Sequence, residues 1–330
     1  MQVDLKAATA AVELITGGWR AQCLYTAVKL GIPDLIEDGK TTNAQLAEAT
    51  GAVEEGIHRL MRLLVAVGVF EGDGVRGYRN TPVSSVLLND PDSLRDMCLL
   101  YGEEFYTAWG HAVECITTLT AGFEIAYGSP LYTYLSQNPE ATTRFQLAMK
   151  AGNLFFDYVP EVVDLSGKTF VDVGGGPGQL TAAILSAVPD ARAMLLDREH
   201  VIPVARQNLA AFDRVELFGG DMFAAVPEGG DVYFLCRVLA GWSDDSVVGV
   251  FENCRKAMNP DGRLIILERV VVDSDSTMLP ALWDLHLLMT NGGRHRTVEK
   301  FTSLLERAGL VVERVADLPV ETTAIIARPR

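Results

Sequence analysis

The chain has 330 residues, enough for roughly two domains of about 150 residues each. Apolar residues make up 48% and charged residues 22%, the balance of a globular protein with a sizeable core. Lys and Arg number 28 against 43 Asp and Glu. The resulting net charge of −15 argues against a general nucleic-acid or anionic-membrane binder, since an acidic surface is repelled by both.

The opening MQVDLKAATA carries Asp4 and no apolar core of a secretory signal. No apolar run approaches the ~18 residues of a membrane span. The five cysteines, Cys23, Cys98, Cys115, Cys236 and Cys254, are an odd, widely spaced set without a CxxC pair. They read as small buried hydrophobes in a reducing cytoplasm, with no disulfide framework and no metal site expected.

Residues 7–30 read as one helix, with Leu14, Ile15, Trp19, Leu24, Val28 and Leu30 near helical spacing and Gly31-Ile32-Pro33 as its stop. Thr42 or Asn43 caps a short helix that Gly51 ends, and a second helix runs from about Glu54 to Val67. Phe70 to Tyr78 reads as a hairpin turning at Gly72, Asp73 and Gly74. Two short helices and a hairpin give a winged-helix look. Glu54 and Glu55 open the would-be recognition helix, and the clustered cations that phosphate binding needs are missing, so the expected partner is another subunit. Residues 92–160 read as helical and aromatic-rich, punctuated by Pro130, Pro139 and Pro160. The chain is therefore divided into a winged-helix-like domain over 1–95, a helical linker contributing to a substrate pocket over 96–160, and a third region over 161–330.

From residue 165 short apolar runs alternate with helices. Strands are expected at 169–173, 193–197, 215–218, 231–235 and 263–268, with helices near 179–188, 199–211, 244–258 and 297–308. Strands at 311–316 and 322–327 close the chain as an antiparallel pair. This is an α/β, Rossmann-like sheet covered on both faces. Ligands sit at the carboxyl ends of such strands. The first ends in Asp172-Val173-Gly174-Gly175-Gly176-Pro177-Gly178, where glycines allow close approach of backbone to ligand. The second ends in Asp197, a carboxylate able to hold two ribose hydroxyls. The third leads to Gly219-Gly220-Asp221-Met222-Phe223, where Asp221 can accept from an adenine amino group and Met222 or Phe223 can cover its face. Three such strand ends in succession fit a nucleoside ligand.

DVGGGPGQL, the strand-end Asp197, GGDMF, VLAGWSDDSVVGVFENCRKAMNPDGRLIILE and NGGRHRT resemble the S-adenosylmethionine-dependent small-molecule O-methyltransferases over nearly the whole chain. That family joins a winged-helix dimerisation domain to a class I methyltransferase domain and includes plant phenolic enzymes and bacterial natural-product enzymes. VLAGWSDD is similar in wording to the anthracycline-tailoring branch. The resemblance implies S-adenosylmethionine as cofactor and S-adenosylhomocysteine as product. It implies a cofactor site that includes Asp172, with Gly174 and Gly176 at the methionine part, Asp197 at the ribose, Asp221 and Met222 at the adenine, Arg144 at the cofactor carboxylate, and Arg237 beside the adenine. It also implies a homodimer through the N-terminal domain and a small aromatic or polyketide-type acceptor.

The departures concern the chemistry. The phenolic enzymes carry a general-base His and an Asp where this chain has Ala240 and Gly241, and a Glu that orients the base where it has His295. His295 is the remaining candidate base. Arg294 and Arg296 flank it, which should lower its pKa and could bind an acidic substrate. Acceptor contacts are expected from Tyr106, Trp109, Trp283, Met289, Asn291 and Arg294. Holding the reacting atoms in line supplies about 7–11 kcal/mol of such a barrier. O-methylation by proximity is therefore expected first, C-methylation or a reassigned use of the cofactor next, and N-methylation as the remainder.

Overall fold

A computed structural model describes residues 4–90, 93–274 and 276–330. It divides into two compact units, one of residues 1–110 with 132–152, the other of 111–131 with 153–330. The stretch 96–160 is thus shared between both.

In the first unit, the expected long helix is two, Leu5–Ile15 and Gly17–Lys29. The break falls at Thr16, whose hydroxyl bonds back to the Val12 carbonyl, and the Gly17-Gly18 pair that follows favours helix least. The second helix stops before Gly31, which turns left-handed at φ +70°, and Pro33 lies in the first turn of the short helix Ile32–Glu37, where its missing N–H costs nothing. Thr42 forms a capping box with Gln45 at the head of Asn43–Thr50, and Glu54–Ala66 follows. Strands β1 (Phe70–Asp73) and β2 (Gly77–Asn80) pair antiparallel, and Asp73 accepts the Val75 and Arg76 amides across their turn. Ile32, Leu46, Ile57, Met61, Leu64, Phe70 and Tyr78 form this unit's core. Pro139 opens the helix Pro139–Ala151.

The second unit is built on a sheet of β3 (Thr169–Val173), β4 (Arg192–Asp197), β5 (Val215–Gly219), β6 (Val232–Cys236), β7 (Arg263–Glu268), β8 (Leu310–Leu318) and β9 (Thr322–Pro329). Their order is β5-β4-β3-β6-β7-β9-β8, with β9 antiparallel to both neighbours and the others parallel. The chain moves outward from β3 through β4 and β5, then returns to β6 on the other side. That reversal puts a crevice at the carboxyl ends of β3 and β6.

The mostly apolar runs of the central strands follow from burial on both faces. Val171, Tyr233, Leu235, Leu264 and Ile266 point to one side, against Val247, Val250 and Phe251 of the helix Asp244–Ala257 and Phe301 and Leu304 of Val298–Arg307. Their alternates Phe170, Val232, Phe234, Ile265 and Leu267 point to the other, against Leu180, Ile184 and Leu185 of Gln179–Ala187. The helix expected over 199–211 is shorter, Ile202–Asn208. The cysteines are all free thiols, Cys115 and Cys254 fully buried. Among the described residues no helix is long and apolar enough to cross a membrane.

Candidate active site

The exits of β3, β4 and β5 are tied together by backbone. Gly174 and Gly175 both donate to the Leu196 carbonyl, at 2.7 and 3.2 Å, and Gly220 donates to that of Asp197 at 2.9 Å. Gly174 has a φ of +74°, and a Cβ there would lie 2.9 Å from Val238 Cγ1; a Cβ on Gly175 would lie 2.7 Å from Asp172 Cγ. Only glycine builds this loop. Gly176 N–H donates to Asp197 Oδ2 at 2.7 Å, so the loop holds the carboxylate, whose Oδ1 takes the Arg198 amide. Asp172 lies beneath, fully buried, accepting the Thr181 hydroxyl at 2.7 Å; burial pushes its carboxyl up to about 6. Asp221 takes the Phe223 amide, and Asn253 donates to the carbonyls of Met222 and Phe223 at 3.0 and 3.1 Å. Phe223 meets Trp242 edge-on at 4.6 Å. Asp172, Gly174, Gly176, Asp197, Asp221 and Met222 therefore share the carboxyl ends of three adjacent strands. A glycine cradle, a carboxylate at the next strand end and a half-buried Met after the third fit a nucleoside with a charged tail.

Two of the expected cofactor contacts have other partners. Arg237 follows β6 in a left-handed conformation, φ +55°. It donates to Asn153 Oδ1 and Thr322 Oγ1 at 3.3 Å, and stacks on Phe155 at 4.6 Å. Arg144 belongs to the first unit and pairs there with the buried Glu104.

On the β6 and β7 side, the loop 239–242 is fastened by the chain after the helix Met278–Asn291. Arg294 N donates to the Ala240 carbonyl at 2.9 Å. Arg296, buried, donates to the Leu239 and Trp242 carbonyls and to Asp244 Oδ1. Against the cost of burial, hydrogen bonds from Lys300 and Arg296 and the nearby Arg294 charge hold Asp244 down at about 2. Glu268 closes β7, fully buried, and its Oε1 accepts the Leu239 amide at 3.0 Å; burial lifts it to about 7. Arg269, the next residue, lays its guanidinium over the Trp283 ring at 4.2 Å, and Trp283 meets His286 edge-on at 5.8 Å.

His295 enters the same group. Asp284 Oδ1 accepts its amide at 2.6 Å, and its Nδ1 is shielded from solvent without a hydrogen-bond partner among the described residues. Its pKa is pushed down to about 3, by burial first, then by the charges of Arg269 and Arg237. The expected cause is thus corrected. The flanking Arg294 and Arg296 turn to Asp244, so the depressing charges come from strand ends instead. His286 is buried and pushed down to about 4 by burial and then Arg269.

Of the expected acceptor contacts, Trp283 lies in this group. Met289, on the same helix, is fully buried. Asn291 Oδ1 receives the Gly293 amide at 2.8 Å, and the Arg294 guanidinium reaches Asp244. Tyr106 and Trp109 lie on Glu104–Trp109 in the first unit. Glu268 and Arg269 escaped the sequence reading. A carboxylate ending an apolar run, as at Asp197, was the available signal for Glu268; nothing in the sequence marked Arg269. Among the described residues no group of three His, Cys, Asp or Glu could hold a metal.

The chain matches the O-methyltransferase domain over residues 109–311 and the O-methyltransferase dimerisation domain over 12–90. It is 48% identical to the phenazine-1-carboxylate N-methyltransferase of Pseudomonas aeruginosa, covering 98% of both chains. It is 38% identical to the 3-amino-4-hydroxybenzoate 4-O-methyltransferase of Streptomyces cremeus, covering 97% of this chain and 89% of that one. The solved structure of the pyocyanin biosynthetic protein PhzM superposes with a TM-score of 0.94 at 48% identity, over 99% of this chain and 100% of that one.

Proposed function

The chain belongs to the S-adenosylmethionine-dependent small-molecule O-methyltransferases, which carry a dimerisation domain, and from that premise we propose that it methylates a small planar aromatic acid at an atom needing no protein base. Such an atom is an aza-aromatic ring nitrogen or an oxygen already ionised in solution. The observation that carries this reading is that neither imidazole of the group around Trp283 is suited to act as a base. Ala240 stands where the phenolic enzymes have their base, and His295 and His286 are held neutral down to about 3 and 4. A base so weak accepts a proton from a phenol of pKa ~10 only steeply uphill. An aromatic acid is supported by the two relatives, both named for aromatic carboxylates, and by the cations Arg237 and Arg269 at the strand ends beside the glycine loop.

When bound, the cofactor supplies an electrophilic methyl on a sulfonium. Gly174 and Gly176 would lie against its methionine part, Asp197 would accept from the ribose hydroxyls, and Asp221 and Met222 would frame the adenine. Asp172 fixes the loop from below through Thr181. Arg296, by holding the Leu239 and Trp242 carbonyls, keeps the Ala240 segment in one position, and the Trp283–His286 pair gives a flat acceptor an aromatic wall. Alignment then supplies the rate, worth about 7–11 kcal/mol when attack geometry is fixed. The enzyme is read as a cytoplasmic homodimer through the N-terminal domain, acting on small molecules and not on nucleic acid or membrane.

The test uses cofactor carrying a ¹³C methyl with phenazine-1-carboxylate, hydroxybenzoates, naphthols and 2-oxo acids, locating the label by NMR. Label on ring nitrogen or on the oxygen of acidified phenols is the expected result. Transfer to carbon, or transfer confined to ordinary phenols, overturns it. A second reading has its own observation: Glu268, at about 7, is a carboxylate matched to proton transfer. If it serves an un-ionised phenol, Glu268→Gln abolishes transfer to phenols while sparing ring nitrogen.

A further inference from the structure

Arg269 is one of the two cations beside the glycine loop, and its place at the site is more specific than its charge alone. It directly follows β7, one residue beyond Glu268, at the same carboxyl edge as the glycine loop. Its guanidinium is half-buried and stacked on Trp283 at 4.2 Å. Trp283 in turn packs on His286. His295 is brought to this group by its amide bond to Asp284, the neighbour of Trp283, and by the bridge between Arg296 and Val270, the residues that follow His295 and Arg269; its Nδ1 is shielded and without a hydrogen-bond partner among the described residues. A guanidinium stacked on an aromatic face keeps its N–H groups in the plane of the stack, the geometry suited to a bidentate carboxylate. A neutral imidazole whose buried ring nitrogen lacks a partner is costly unless a ligand completes it.

We infer that Arg269 and His295 Nδ1 together form the acceptor's carboxylate subsite, with Trp283 and His286 as the aromatic wall that positions the attached ring. This rests on the proposed methylation of an aromatic acid and names the residues that select the acid. The electrostatics agree with the geometry. Burial first and the Arg269 charge next hold both imidazoles neutral, so His295 can donate Nδ1–H to an anion. Arg237 is the second charge facing His295, and it adds to the attraction without replacing the contact, being engaged by Asn153 and Thr322. A bound carboxylate would offset the Arg269 charge and raise the His295 pKa. Arg294 and Arg296 take no part, since Asp244 holds both.

The experiment measures binding rather than turnover. The protein is saturated with S-adenosylhomocysteine and titrated calorimetrically with 1-naphthoate and with 1-naphthamide. Wild type should prefer the acid by at least about 10-fold, the value of a charge-assisted hydrogen-bond pair. Arg269→Met, which keeps an apolar stem on Trp283, should remove that preference while leaving the amide's affinity within about 2-fold. Arg269→Lys should restore part of it. In ¹³C-histidine-labelled protein, the His295 resonance (assigned through His295→Gln) should titrate at higher pH with the acid bound than with the amide. Equal affinity of wild type for acid and amide overturns the subsite, as does an equal loss of both ligands in Arg269→Met, which would mark Arg269 as structural. Should the acid bind through Arg269 while no labelled methyl is ever transferred, the subsite stands and the proposed reaction fails, so the two are separable.

Discussion

Asp197, the proposed acceptor for the ribose hydroxyls, has its two oxygens fixed by the backbone it serves. Gly176 N–H holds one at 2.7 Å and Arg198 N–H the other, leaving the remaining lone pairs for hydroxyl donors. Removing it deletes hydrogen bonds to a charged acceptor, worth about 1.5–3 kcal/mol, and leaves the Gly176 amide unpaired. Asp197→Ala is therefore expected to weaken S-adenosylmethionine binding at least ~10-fold by calorimetry, with no comparable loss for the Arg269→Met variant. Glu268 gives a second residue-scale prediction, in the pH dependence of stability. Its folded pKa of about 7 lies above the ordinary value near 4.3, so the folded state holds the proton more tightly than the unfolded chain. The sign follows: stability declines as pH rises from about 4.3 through 7. Glu268→Gln keeps an oxygen for the Leu239 amide and carries no charge. Its unfolding temperature should exceed that of wild type at pH 8, and the difference should vanish near pH 4. A variant less stable at pH 8 would show the carboxylate to be paired there.

At the scale of elements, the site depends on one staple. Arg296 is buried and joins the loop 239–242 to the helix Asp244–Ala257 through two carbonyls and Asp244. Arg296→Gln removes these bonds while Arg294 and Lys300 still neutralise Asp244, so a destabilisation of about 2–3 kcal/mol is expected in denaturant titrations. The strands themselves were legible from sequence because a two-sided sheet writes itself as short apolar runs. TFVDV and RLIILE match β3 and β7 end to end. The break at Thr16 was not legible, since the apolar spacing continues through it and only the Gly17-Gly18 pair hinted otherwise. Nor was the source of the His295 depression. Neighbours in sequence, Arg294 and Arg296, diverge towards Asp244, while Arg269 and Arg237 arrive from the ends of β7 and β6. The glycine loop and the strand-end carboxylates were readable because glycine and aspartate at strand ends are local signals. The proposed acceptor side was readable only in part: Trp283 and His295 were marked, but Arg269 and His286 join them from a strand end and a helix face that only the fold brings together.

At the scale of the whole molecule, the first two helices pose a problem of exposure. Leu5, Val12, Leu14 and Ile15 of Leu5–Ile15 and Trp19 of Gly17–Lys29 are all exposed, Leu14 at 83% and Trp19 at 66%, and the first helix buries none of its residues. Apolar side chains gathered this densely on one segment are costly in water and mark an interaction surface. Residues 12–90 match a dimerisation domain, so the partner expected there is a second copy of the chain, as a homodimer. Like charges within an isologous contact oppose each other, so a single introduced acid is met twice. Leu14→Glu with Ile15→Glu should convert the dimer to a monomer in sedimentation equilibrium at micromolar concentration. The second unit has its own core of strands β3, β6 and β7, so its secondary structure should persist in far-ultraviolet circular dichroism. A wild-type protein that sediments as a monomer would remove the homodimer. A double variant that stays dimeric would move the interface off these helices.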